Sequence, residues 1–211
     1  MPVRVILADD HEIVRAGLRR LIDASPDIQV LVEVENGEQA FREYFAQQPD
    51  VALFDLNMPG MGGLEAIRRI LARDANARIL ALSMHEDAVY PARALQSGAK
   101  GYVTKRCAPD VLLDAIRTVA RGEVFLEPRI ARQLALDGLN GKEEPLMALT
   151  AREFEVFRLL AAGKSVNEIA ETLFLSAKTV GTYQTRILTK LNANNLSDLT
   201  RLAIRMGYIE A

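Results

Sequence analysis

The chain has one cysteine, no tryptophan and no long apolar run, and the first and last of these shortages each remove a class of protein. Cys107 is alone among 211 residues, so no internal disulfide can form, which fits a reducing cytoplasm. No stretch of about 18 apolar residues occurs, so no membrane span is expected. Met1-Pro2-Val3-Arg4-Val5-Ile6-Leu7 meets Asp9-Asp10 too soon for a secretory signal peptide. Charge imbalance is also small. A net charge of -2 over the whole chain gives no sign of nucleic-acid binding. What is present excludes disorder, because 49% of residues are apolar and 26% charged, an ordinary globular mix. At roughly 150 residues per domain, the length allows two compact units.

Apolar, β-branched-rich runs at 3–7, 28–32, 51–54, 78–82 and 101–103 suit strands buried on both faces of a parallel sheet. Helix-period segments alternate with them at 13–22, 37–47, 63–73, 86–97 and 109–121. In the first of these, Ile13, Val14, Gly17, Leu18, Leu21 and Ile22 share one face, and Arg15, Arg19 and Arg20 lie on the other. The alternation predicts a doubly wound α/β domain with a five-stranded parallel sheet over residues 1–122. Periodicity fades over 123–147, where Pro128, Gly138, Asn140, Gly141, Pro145 and Lys142-Glu143-Glu144 read as a linker with one short helix at 130–136. Residues 148–211 are wholly helical in pattern. Capping boxes at Thr150–Glu153 and Ser165–Glu168 open two helices, Ser176 caps a third, and Ser197 or Asn195 opens a fourth that ends at Gly207.

Asp9 and Asp10 follow the first predicted strand directly, and Asp55 follows the third. In the common strand order 2-1-3-4-5 these strands are neighbours, so the three carboxylates converge at one sheet edge. Ser83 follows the fourth strand and Lys105 the fifth. Taken singly, each acid is equally compatible with a helix cap or a solvated loop. As a set they predict a pocket in which a cation offsets carboxylate repulsion, and oxygen ligands favour Mg²⁺. A carboxylate beside a divalent cation and a lysine can accept a phosphoryl group as an acyl phosphate. No glycine-rich nucleotide cradle occurs, and Asn57 stands two residues past Asp55 where an aspartate-nucleophile phosphatase would need a second acid. Holding phosphate is therefore favoured over turning over substrate, with a Mg²⁺-dependent phosphohydrolase as the enzymatic alternative.

Asp9-Asp10, Asp55 with Met58-Pro59-Gly60, Ser83 and Lys105 resemble the receiver domain of two-component response regulators, over about residues 1–122. The resemblance implies a flavodoxin-like fold in which Asp55 accepts phosphate from a sensor histidine kinase. It implies Mg²⁺ held by Asp9, Asp10, Asp55 and the backbone carbonyl of Asn57, with Ser83 and Lys105 reading the phosphate. Tyr102 falls at the family's switch aromatic, although a strand aromatic half buried at the sheet edge would look the same. Asn57 and His85 fall where the family tunes spontaneous dephosphorylation, and His85 reads equally well as a solvated loop histidine. Catalysis beyond self-phosphorylation and slow autodephosphorylation is not expected.

Phe174-Leu175-Ser176 is a tight connection of helix-turn-helix kind. Val180, Ile187, Leu188 and Leu191 of the following helix face a core, leaving Lys178, Thr179, Thr182, Tyr183, Thr185, Arg186 and Lys190 mainly outside. Hydroxyls, a tyrosine and cations suit phosphate and base-edge contacts in a major groove. A protein-interaction bundle with a solvated polar face satisfies the same periodicity. Leu149-Thr150-Ala151-Arg152-Glu153, Ala162 through Ala170, and Leu175 through Val180 resemble the LuxR-type DNA-binding domain over about 148–211. Together the two halves resemble response regulators of the NarL/FixJ class, most like the BvgA/EvgA/UvrY-type branch. That class implies a cytoplasmic homodimer on promoter DNA, with Leu199, Leu202, Ala203 and Met206 of the last helix as the dimer contact, a face that ordinary domain core would equally produce. Val166-Asn167, Gly181 and Thr185 depart from the family's usual residues, so no DNA sequence preference carries over. Split at Ala148, the net charge resolves into -4 for residues 1–147 and +2 for 148–211.

Overall fold

The structure is a computed structural model that describes residues 1–85, 89–139 and 145–205. It divides into two compact units, Met1–Lys142 and Glu143–Ala211.

In the first unit, strands β1 (Val3–Ala8), β2 (Ile28–Val34), β3 (Val51–Asp55), β4 (Ile79–Ser83) and β5 (Gly101–Thr104) alternate with helices α1 (Glu12–Asp23), α2 (Gly37–Gln47), α3 (Gly63–Leu71), α4 (Val89–Gln96) and α5 (Pro109–Ala120). The strands pair in parallel in the order β2-β1-β3-β4-β5, and a sixth strand, β6 (Phe125–Leu126), extends the edge beyond β5. β3 and β4 are buried along their whole length, as continuous apolar runs in a doubly wound sheet require. One face of the sheet is filled by Val5, Leu7, Leu53, Leu80, Leu82 and Val103 against Ile22 of α1 and Leu112, Ile116 and Val119 of α5.

Two expectations change here. Part of the expected linker is structure: β6 pairs Phe125 with Gly101 and Leu126 with Tyr102, and helix α6 spans Pro128–Leu139 rather than 130–136. Gly101 makes this possible, since a Cβ there would come within 2.8 Å of the Phe125 carbonyl oxygen. Ile130 of α6 is buried, and the Glu127 carboxylate accepts the Thr104 N–H at 2.5 Å. In α1, Ile13 is exposed while Arg15 is buried, the reverse of the amphipathic reading. The expected start of the fourth helix at Glu86 lies outside the described residues.

The second unit holds helices α7 (Ala151–Ala161), α8 (Val166–Thr172), α9 (Ala177–Lys190) and α10 (Leu196–Arg205), preceded by a 3-10 turn at Pro145–Ala148. Both capping boxes form, Thr150 with Glu153 and Ser165 with Glu168. Asn195 accepts the Asp198 N–H at 2.9 Å and so caps α10. Phe154, Val156, Phe157, Ile169, Val180, Ile187, Leu199 and Ala203 make the core. The expected helix end at Gly207 lies outside the described residues.

Candidate functional site: an acidic pocket and a helix-turn-helix face

β1, β3, β4 and β5 end side by side, and each hands a polar residue to one edge of the sheet. Asp9 and Asp55 are 0% and 1% exposed and Ser83 is 0% exposed. The Lys105 ammonium lies 2.7 Å from Asp9 Oδ2 and 2.9 Å from Asp55 Oδ2. The other oxygen of each carboxylate is fixed by a backbone N–H two residues on: His11 donates to Asp9 Oδ1 at 2.9 Å and Asn57 to Asp55 Oδ1 at 3.1 Å. Gly63 lets α3 start against the same loop, since a Cβ there would fall 2.1 Å from the Asp55 carbonyl oxygen.

Burial pushes the Asp55 carboxyl above its ordinary range, outweighing the opposing pull of Lys105. Burial works to lower the Lys105 ammonium, but Asp55 and Asp9 overcome it and hold its pKa above the usual lysine value. The pocket is therefore under electrostatic tension, with the desolvated carboxylate incompletely compensated.

Asp10 completes the acidic set from a more exposed position. Ligand atoms of Asp9, Asp10, His11 and Asp55 all lie within 4.8 Å of one another. His11 was missed in the sequence, where its only signal was adjacency to Asp10; its Nδ1 is 2.8 Å from Asp10 Oδ1. Three carboxylates at this spacing fit a small divalent cation with oxygen preference.

On the β4 side, Ser83 Oγ accepts the His85 N–H at 3.2 Å. Tyr102 is fully buried, and its hydroxyl donates to the His85 carbonyl at 2.5 Å. The His85 ring stacks on Tyr90, with centroids 4.0 Å apart and planes 2° from parallel. Ser83 and Tyr102, which the sequence placed on adjacent strands, are thus joined through one residue.

In the second unit Phe174 makes the turn between α8 and α9 with φ 51°, a left-handed conformation. Ser176 Oγ accepts the Thr179 N–H at 3.1 Å and starts α9. Val180, Ile187 and Leu191 point into the core. Lys178, Thr182, Thr185 and Arg186 are exposed, with Thr179 and Tyr183 half-buried beside them. Lys190 is employed differently from the expectation of a DNA contact. Its ammonium meets Glu153 Oε2 at 2.6 Å and donates to the Ala148 carbonyl at 3.2 Å, tying the end of α9 to the start of α7. The Glu153 carboxyl, although burial raises it, is held below its ordinary range by Lys190 and the Thr150 N–H.

The expected dimer contact needs correction. Leu199 and Ala203 are 0% exposed and Leu202 is 9% exposed, so these side chains fill the domain's own core. The apolar residues that α10 leaves exposed are Leu196 and Ile204. Met206 lies outside the described residues.

An acidic pocket closed by a lysine at the sheet edge and a helix-turn-helix unit, in one chain, are the two parts of a class, the transcription regulators that phosphorylation controls. The profile of the response regulator receiver domain matches residues 5–117, and that of the bacterial regulatory proteins, luxR family, matches residues 147–203. The response regulator UvrY of Escherichia coli (strain K12) is 41% identical over 211 residues, covering 99% of this chain and 97% of its own. The response regulator GacA of Pseudomonas viridiflava is 36% identical over 211 residues, covering 99% of each. The solved structure of RcsB from Salmonella enterica serovar Typhimurium, bound to promoter P1flhDC in the presence of the phosphomimetic BeF3-, is 28% identical with a TM-score of 0.62 over 96% of this chain and 98% of that one. The chain belongs to the response regulators of the NarL/FixJ class, and is a transcription factor rather than a catalytic enzyme. Among the described residues no helix is long and apolar enough to cross a membrane.

Proposed function

We propose that Asp55 is the phosphoacceptor and that its phosphorylation by a sensor histidine kinase controls binding of α9 to promoter DNA. The observation that carries this reading is the buried triad Asp9, Asp55 and Lys105, closed to within 2.9 Å at the carboxyl edge of the sheet. An Asp55 oxygen attacks the phosphorus of a phosphohistidine, the P–N bond breaks as the P–O bond forms, and the imidazole leaves. Lys105 sits where it can pair with a phosphoryl oxygen, and the Ser83 hydroxyl can donate to another. Mg²⁺ would be held by Asp9, Asp10, Asp55 and the Asn57 carbonyl, and when bound it offsets charge on the phosphoryl oxygens. Asn57 offers no general acid, so the acyl phosphate persists rather than turning over quickly. Self-phosphorylation from a small phosphodonor and slow autodephosphorylation belong to the same reading.

The output follows from α9. Lys178 and Arg186 supply cations for phosphates, and Thr179, Thr182, Tyr183 and Thr185 supply polar groups for the groove. Two copies would place two such helices on half-sites about one helical turn apart. With Leu199, Leu202 and Ala203 buried, Leu196 and Ile204 are the exposed apolar side chains that α10 would offer to a second copy. A cytoplasmic setting fits the single Cys107.

Radiolabelled phosphate from a small phosphodonor should appear on the wild-type protein with Mg²⁺ and vanish in Asp55→Ala. Label retained by Asp55→Ala, or rapid multiple turnover of phosphomonoesters by wild type, would refute the assignment.

A further inference from the structure

Arg15 is a buried cation on the face of α1 that also carries, three and seven residues on, half-buried Leu18 and buried Ile22. The residue is 9% exposed, although it lies on the first turn and a half of α1 beside exposed Glu12, Ile13 and Ala16. One end of its guanidinium donates to the Asp9 carbonyl at 2.6 Å. The other end donates to Glu35 Oε1 at 3.1 Å, just past β2, and Nε lies 3.8 Å from Glu33 Oε2. Glu33 is itself fixed by Arg19 at 2.7 Å. The planar fork of an arginine can serve both ends at once, which an ammonium cannot.

What the guanidinium grips is the peptide between Asp9 and Asp10. That peptide sets the direction of both side chains, one on each side of it. The carboxylate of Asp9 is pinned from within by Lys105 and the His11 N–H, while Asp10 is more exposed. His11, at the N-cap of α1, makes no side-chain capping hydrogen bond, so a helix cap does not orient the loop. Residues that hold a metal ligand's own backbone or side chain act on affinity without touching the ion.

We propose that Arg15 is a positioning residue for the divalent-cation site, presetting the Asp9–Asp10 peptide so that both carboxylates face Asp55. The proposal rests on the reading that Asp9, Asp10 and Asp55 hold a cation. MgCl2 is titrated calorimetrically into the full chain as wild type, Arg15→Met, Arg15→Lys and Asp10→Asn, with melting in EDTA measured alongside. Arg15→Met should weaken Mg²⁺ binding by about 10- to 100-fold, the usual loss for an outer-shell partner, and Arg15→Lys should fall between it and wild type. The Mg²⁺ concentration giving half-maximal phosphorylation should shift by the same factor, with the rate at saturating Mg²⁺ preserved. Lower melting with unchanged Mg²⁺ affinity in Arg15→Met would overturn the proposal and leave Arg15 a purely structural residue. Should Arg15→Met fail to fold, Arg15→Lys binding Mg²⁺ as tightly as wild type would overturn it equally. No binding to wild type would remove the cation-site reading itself, and this proposal with it.

Discussion

Asp9 and Asp55 are 0% and 1% exposed in the receiver unit, whereas Lys178 and Arg186 stand in solvent on α9 of the output unit. The receiver draws its charges from strand ends about 45 to 50 residues apart and buries them together, so each feels its neighbours strongly. On α9 of the output unit Lys178 and Arg186 lie on the solvent side of the helix, where each interacts weakly and salt screens it. The contrast teaches that a switch and a reader use charge in opposite ways. One buries opposing charges against each other, and the other leaves its cations singly in solvent.

The largest effect that would break this contrast is in the receiver. Lys105→Met leaves Asp9 and Asp55 facing each other without their ammonium, and should cost as much as about 3–5 kcal/mol in EDTA at pH 7, read by denaturant melts. The loss should shrink as the pH falls and the carboxylates take up protons. A loss no larger than that of a surface substitution would place both units in the same electrostatic regime. In the output unit, Arg186→Ala should weaken promoter binding and reduce the slope of log affinity against log salt by about 1, measured by fluorescence anisotropy. Lys190→Ala should instead leave that slope unchanged and increase hydrogen exchange around Thr150 and Glu153, because its ammonium is committed to the α7 cap. A salt-slope change in Lys190→Ala would return it to the DNA face.

A smaller effect tests the stored tension. Asp55 is held above its ordinary range by burial, so its ionisation opposes folding, and its contribution is lost as the pH rises through the raised pKa. Metal-free Asp55→Asn should therefore melt above wild type at pH 7, with the difference closing toward the ordinary carboxylate range. Equal melting at pH 7 would mean that Lys105 compensates Asp55 fully. The smallest effect concerns Gly181, where an added Cβ meets nothing within 4 Å. Gly181→Ala should stabilise α9 by roughly 0.5–1 kcal/mol. Promoter affinity lost despite that gain would show that α9 brings its backbone against the DNA at this point.

Much of this was legible in order of local strength. Buried parallel strands announce themselves as apolar runs, and the residues just after them fall at one edge by topology, so the sequence alone groups Asp9, Asp10, Asp55, Ser83 and Lys105. Capping boxes are local in sequence, and both formed. β6 was not legible because two residues carry no alternation, and its place depends on Gly101, more than twenty positions earlier. Leu199, Leu202 and Ala203 formed a clear apolar face, but periodicity cannot say whether a helix face meets its own domain or a second copy. Lys190 and Arg15 were assigned to polar faces because their partners, Glu153 and the Asp9 carbonyl, are chosen by tertiary packing. Long cations are the residues for which pattern informs least, since the stem can lie on an apolar surface while the head reaches a distant acceptor.

In the function proposed above, phosphate on Asp55 governs DNA binding by the other unit. That control is tested most directly by the promoter affinity of the full chain at fixed salt, with and without a small phosphodonor and Mg²⁺, for wild type and Asp55→Ala. A coupling of about 1–3 kcal/mol predicts a 5- to 150-fold change in wild-type affinity on phosphorylation and none in Asp55→Ala. Identical affinities for phosphorylated and unphosphorylated wild type, or an equal response in Asp55→Ala, would contradict it.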